Sequence, residues 1–277
     1  MLNIVFWMDC RANGLIHYLK NKIEFNPIKY EIHILGGFSE KRYLSEENHN
    51  IPIDVLKNTD IFIYQFIDKH YLKYSTDPLL KKENVLSYLS DTCIKIGLQG
   101  AHMDCFWPII PDSNNYNIEF FNSIKDNTEN EITTAFHNKQ LNFNLQKRFD
   151  YNIEYSMSRD EHWTNGFKDD SNHFIISSID FIKNNYKEYR LFFTHCHPTS
   201  YIFIHQTNEI INILNKCYNF NFELYNDIFS YDIRFPGIPD GDWKDSSYII
   251  KELDVKFIND IDDNYYLNYI LKRHNNS

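Results

Sequence analysis

A chain of 277 residues, 43% hydrophobic and 17% aromatic with 22 Phe and 20 Tyr, carries enough apolar material for a sizeable core, which excludes global disorder. Its formal net charge of −10 excludes a protein whose main partner is nucleic acid, because phosphate binding needs a basic face. Five widely spaced cysteines (Cys10, Cys93, Cys105, Cys196 and Cys217), odd in number and without a C-x-x-C pair, read as a reducing compartment and not as a disulfide framework.

The first apolar run, residues 3–8, reads as a buried strand. No basic segment precedes it, and it is too short for a signal sequence or a membrane span, so a cytoplasmic location is expected. Asp9, Cys10 and Arg11 follow at once, and residues 13–22 then place Leu15, Ile16 and Leu19 at helical spacing. A thiol therefore sits where a strand ends and a helix begins. Free N–H groups of the first turn and the helix dipole favour an anion there, so such a site holds a thiolate or stabilises an oxyanion.

Residues 30–35, 60–66 and 92–98 have strand character, and residues 78–90, with Leu79, Leu80, Val85, Leu86 and Leu89, have helical spacing. This alternation predicts an α/β fold with a parallel doubly wound sheet. From 108 to 172 the texture turns to long polar segments with scattered aromatics, including 118–125 and 131–136, which predicts a sizeable helical insertion. Residues 173–185 then read as a helix, 189–193 as a strand and 199–217 as a long helix. The tail passes a turn-rich loop at Pro236, Gly237, Pro239, Asp240 and Gly241 before a last amphipathic segment at 265–271. The expected division is a first half of the core over 1–107, the mainly helical insertion over 108–172, and the second half of the core with the tail over 173–277.

Two groups carry the chemistry. Cys10, flanked by Asp9 and Arg11, lies at a strand terminus, where charged residues normally face a crevice. Thr194-His195-Cys196-His197-Pro198-Thr199 follows the 189–193 strand. Extended residues at i and i+2 face the same way, so His195 and His197 both reach the crevice, with imidazoles suited to proton transfer near neutral pH. Gln65 and Gln99 end two further strands, Gly100 permits close approach of a ligand, and His102 lies just beyond. Arg159, with Lys147 and Arg148, offers cations for an anionic cofactor. Zinc ligation by His195, Cys196 and His197 with Cys10 and His102 matches no standard spacing, so no metal is expected.

The order of these pieces resembles the WcbI-like family of polysaccharide-biosynthesis proteins. That family opens with a strand and a Gly-Asn-Cys-Gln type turn, carries Tyr-Gln after a later strand, and ends its core with an Asn-His-Pro element before a helix. The matching stretches are Met8-Asp9-Cys10-Arg11, Ile63-Tyr64-Gln65-Phe66 and Cys196-His197-Pro198-Thr199, with residues 102–108 as a further match, over most of 1–215. The resemblance implies an enzyme that binds coenzyme A and transfers an acetyl group to a sugar of a surface polysaccharide. Carried over by motif, Cys10 and His197 are the reactive or ligand-facing pair and Gln65 lines the pocket. This chain departs from the pattern at Asp9, Arg11 and Cys196, which stand in place of asparagine, glutamine and asparagine.

The sequence thus predicts an acetyl-coenzyme A-dependent acetyltransferase acting on a sugar or nucleotide-sugar at oxygen or nitrogen. Cys10, His197 and His195 would be catalytic, and Arg11, Gln65, Gln99, His102 and Arg159 would bind the cofactor. Neither nucleic acid nor a membrane is an expected partner, and a homo-oligomer or a fusion to a further domain is compatible with this reading. An esterase or deacetylase on a similar core is the alternative, although no Gly-x-Ser-x-Gly is present. A non-catalytic sugar- or nucleotide-binding module is the third.

Overall fold

Five parallel strands, β1 (Leu2–Met8), β2 (Phe25–Glu31), β3 (Ile61–Gln65), β4 (Ile94–Leu98) and β5 (His173–Ile176), form one sheet in the order β2-β1-β3-β4-β5. The structure is a computed structural model that describes residues 2–31, 51–80, 83–100, 103–109, 115–194, 196–232, 245–258 and 261–275. The helices are α1 (Arg11–Lys20), α2 (Ile53–Lys57), α3 (Asn115–Ile124), α4 (Glu129–His137), α5 (Leu145–Phe167), α6 (Ile179–Asn185), α7 (Ser200–Tyr218), α8 (Ser247–Leu253) and α9 (Asp263–His274). All residues of β3 and β4 are buried, as expected for parallel strands covered on both faces.

Alternation along the strands divides the core. Ile4, Phe6, Met8, Ile61, Ile63, Ile96 and Leu98 pack beneath α1 and α7. Val5, Trp7, Phe62, Tyr64 and Phe66 face the other way, against Trp163 of α5 and the turns that carry Val85 and Leu86. The predicted doubly wound α/β core is the one observed. A third cluster joins Ile132 of α4, Leu145, Phe149 and Ile153 of α5, Ile182 of α6, Tyr248 of α8 and Ile270 of α9.

Chain order reverses at β1, which has β2 on one side and β3 on the other. In sheets of this type the crevice at that reversal, beyond the carboxyl ends of the strands, is where ligands sit. Gly14 sets the packing beside it: a Cβ there would lie 2.5 Å from the Phe203 ring, so α1 and α7 approach more closely than any side chain at 14 allows.

The structure corrects four element boundaries. The strand expected at 30–35 is Phe25–Glu31, with residues 32–35 outside the described residues; Pro27 masks it in the sequence and is tolerated because β2 is an edge strand. The helix expected at 78–90 is two 3-10 turns, Pro78–Leu80 and Val85–Tyr88. The side chains of Asp77 and Asn84 accept the backbone N–H groups of Leu79 and Leu86 there, offering an alternative to the helical ladder. The helix expected at 173–185 begins as β5, since Phe174, Ile175 and Ile176 satisfy a buried strand as well as a helix, and only Ile179–Asn185 is helical. The strand expected at 189–193 is β6 (Phe192–Thr194), which leaves the parallel sheet to pair antiparallel with β7 (His197–Pro198).

Candidate active site

The turn after β1 is built by Asp9. Its carboxylate accepts the backbone N–H of Arg11 at 3.0 Å and the Arg11 Nε–H and Nη2–H at 2.8 and 2.6 Å, while its carbonyl accepts the N–H of Ala12 at 3.0 Å. This closes the first turn of α1 and leaves Cys10 at the N-cap position, half-buried, with φ −52° and ψ −21°. From β3, Gln65 locks the same turn: its Oε1 accepts the Asp9 N–H and an Arg11 Nη2–H, each at 3.0 Å.

The second wall is the β6–β7 hairpin, whose register sets Thr194 opposite His197. His197 Nε2 lies 3.5 Å from Cys10 Sγ, and His197 Nδ1 lies 2.6 Å from Thr194 Oγ1. Cys196 Sγ is 3.8 Å from both His197 Nδ1 and Thr194 Oγ1. A thiol, an imidazole and a hydroxyl therefore stand in line, 187 residues of chain separating the first two. This is the mutual geometry of a nucleophile, a base and a group that orients the base.

The charges have identifiable causes. Burial opposes ionisation of Arg11, but the adjoining Asp9 carboxylate outweighs it and holds the guanidinium above its ordinary value, with Cys196 and Cys10 acting in the same direction. Burial pushes the Cys196 thiol up, offset in part by Thr194 and Arg11. Burial raises Cys93 to about 12 and raises Cys105 further, so both are apolar core thiols.

Among the described residues, Arg11 Nη1 and Gln65 Nε2 are buried donors without a hydrogen-bond partner. Arg11 and Gln65 line a cavity of about 10 Å3, together with Gln99, Gly100, Pro198 and Ile202. Such a volume holds about one water, or one oxygen of a substrate group. Gly100 is required by this packing: a Cβ there would fall 2.0 Å from Arg11 Nη1. Buried N–H donors on residues that share one small space are the ingredients of an oxyanion site.

The structure brings together Cys10, Arg11, Gln65 and His197, and places Gln99 on the same cavity with its Nε2–H donating to the Ser156 carbonyl at 2.8 Å. Arg159 is not among them. It lies on the α5 face of the sheet, donating to the Phe66 carbonyl at 3.0 Å and pairing with Asp68 at 3.2 Å, with its guanidinium over the Phe66 and Trp163 rings. Arg148 is likewise committed, to the carbonyls of Pro108 and Asp104. His102 and His195 lie outside the described residues. Thr194 is the contributor that the sequence does not single out, because its place beside His197 depends on an irregular hairpin register.

Among the described residues no three His, Cys, Asp or Glu side chains gather as a metal site, and no helix is long and apolar enough to cross a membrane. A larger cavity, about 370 Å3, lies beside Lys95 and His173 at the opposite ends of β4 and β5. Among its described lining residues Lys95 pairs with Asp170 at 3.1 Å and His173 Nε2 lies 2.5 Å from the Tyr64 hydroxyl, and no cysteine lines it.

No family model matches the chain, and no curated protein matches it. Among solved structures it is similar to one of WcbI, described as a novel polysaccharide biosynthesis enzyme, in its native form without a disulfide bond between coenzyme A and a cysteine. The match covers 100% of this chain and 90% of that one at 14% identity, with a TM-score of 0.63. Across its whole length, therefore, this chain has the fold of WcbI.

Proposed function

We propose that this protein is an acetyl-coenzyme A-dependent acetyltransferase of polysaccharide biosynthesis that acetylates a hydroxyl or amino group of a sugar. The observation that carries this reading is the 3.5 Å contact between Cys10 Sγ and His197 Nε2, with Arg11 next in the chain and bonded to Gln65. The likeness to a polysaccharide enzyme whose description names coenzyme A and a cysteine supports the choice of thioester as donor.

The arrangement suits two-step transfer. His197 Nε2 takes the Cys10 proton as sulfur attacks the thioester carbonyl, and Arg11 Nη1–H and Gln65 Nε2–H receive the charge that develops on oxygen. Coenzyme A leaves as its thiol with the proton from His197. The sugar hydroxyl or amine then gives its proton to His197 as it attacks the acyl-Cys10 carbonyl, and Cys10 leaves as the thiol. In the direct alternative His197 deprotonates the sugar while the thioester carbonyl occupies the same donors, and Cys10 serves as wall.

Coenzyme A at one hundred times its dissociation constant stabilises the folded state by about 2.7 kcal/mol, so the melting temperature rises by several degrees. No shift with millimolar coenzyme A or acetyl-coenzyme A overturns the reading. Loss of acetyl transfer in Cys10→Ala and Cys10→Ser, with the shift by coenzyme A retained, assigns the covalent route. Full turnover in either variant assigns the direct one.

A further inference from the structure

We infer that Thr194, with Cys196 behind it, is the positioning residue that fixes which nitrogen of His197 carries the proton. The inference rests on the reading of Cys10 and His197 as the reacting pair and names what controls that pair. Neutral imidazole has one N–H and one lone pair, and only the tautomer with the lone pair on Nε2 accepts a proton from Cys10. The group at Nδ1 makes that selection.

Thr194 Oγ1 stands 2.6 Å from Nδ1, with the hydroxyl side chain buried in the β6–β7 hairpin. A hydroxyl alone is ambiguous, since it donates or accepts with equal ease. Donation to Nδ1 would place the imidazole proton on Nε2, facing Cys10, and disable the base. Cys196 offers the hydroxyl proton a place to go: its sulfur, a weak acceptor as well as a weak donor, lies 3.8 Å from the same Oγ1. With the hydroxyl proton directed to that sulfur, the chain of donors runs from Cys10 S–H to Nε2, from Nδ1–H to Thr194 Oγ1, and from Thr194 O–H to Cys196 Sγ.

This differs from a triad that ends in a carboxylate. A hydroxyl orients the imidazole and sets its tautomer, but it carries no charge to stabilise an imidazolium.

The test is the rate of Cys10 alkylation by iodoacetamide across pH 5–10, read by mass spectrometry on the full chain, without coenzyme A. The profile of Thr194→Val is expected to coincide with that of His197→Gln, and near neutral pH to lie about tenfold below wild type, a factor of the size of one hydrogen bond. Thr194→Ser, which keeps the hydroxyl, should stay within about twofold of wild type. A wild-type profile in Thr194→Val overturns the inference. Should that variant fail to fold, histidine-selective nitrogen NMR of the wild-type protein decides, with His197 assigned by its loss in His197→Gln. A lone pair on Nε2 supports the inference, and a proton there overturns it. A normal result here with no thermal shift by coenzyme A would leave the positioning role standing and remove the acetyltransferase.

Discussion

Arg11 is held at every turn. Its side chain reaches Asp9 and Gln65, and its guanidinium lies against the backbone of Gly100. Gly100→Ala forces that guanidinium out, because the added Cβ would meet Nη1, Nη2 and Cζ at 2.0–2.6 Å. The ion pair is buried, so breaking its geometry is costly, and the displaced donor no longer faces the cavity. If the proposed function holds, acetyl transfer by Gly100→Ala falls on the order of a hundredfold, the size of effect that misplacement by about 1 Å produces, with a smaller loss of melting temperature. Turnover within twofold of wild type would exclude Arg11 from the reaction. At this scale the placement of the candidate residues is legible in the sequence: Cys10, Gln65 and His197 each end or follow a strand, and the pairing of β1 with β3 brings two of them together. Arg159 misled because charge composition says nothing about which face of a sheet a helix covers.

At the scale of elements, the decisive contact is the seam between α1 and α7. Cys10 starts one helix and His197 precedes the other, so the crossing of the two sets the distance from sulfur to nitrogen. Gly14→Ala gains up to about 1 kcal/mol of helix propensity but overpacks a fully buried Phe203 ring, at a cost of about 1–3 kcal/mol. The clash wins because Phe203 has no open space to enter. Lowered thermal stability and slower Cys10 alkylation are expected together, whereas an unchanged or raised melting temperature would show that the helices separate freely. The same scale explains the misread elements. β5 and α6 are adjacent apolar segments with one Ser-Ser step between them, and a continuous helical pattern fits both until the sheet claims the first. Strand β6 reads in the sequence as one more strand of the core, because pairing partners are not written in periodicity.

For the whole molecule, two of the groups that govern acid stability act with opposite signs. Burial lowers His173 from 6.5 to about 3, despite Asp170 nearby, so the unfolded chain binds a proton that the folded one refuses, and stability is lost as pH falls below about 6.5. Burial raises Asp160 from 3.8 to about 6, offset in part by Ser177 and Arg159, so the folded chain keeps a proton that the unfolded one gives up, and stability is lost as pH rises from about 4 to 6. Between those limits the two slopes oppose. Asp160→Asn removes one of them. Its melting temperature is expected to exceed that of wild type at pH 8, to converge with it near pH 4, and to decline more steeply on acidification between. A gain independent of pH would mean that Asp160 does not titrate in this range.

Helix α5 gives the molecule its wholeness. Its 23 residues, about 35 Å at 1.5 Å per residue, enter the cluster of α4, α8 and α9 through Leu145, Phe149 and Ile153 and the underside of the sheet through Trp163. Ser156, between those halves, is also the residue whose carbonyl holds Gln99 at the cavity. A single rod is thus shared by two hydrophobic interiors, with a support of the candidate site at its middle. Local melting at either end loosens the same rod, so partial unfolding has no inexpensive intermediate, and a ligand that tightens the centre is felt in amide protection at both ends.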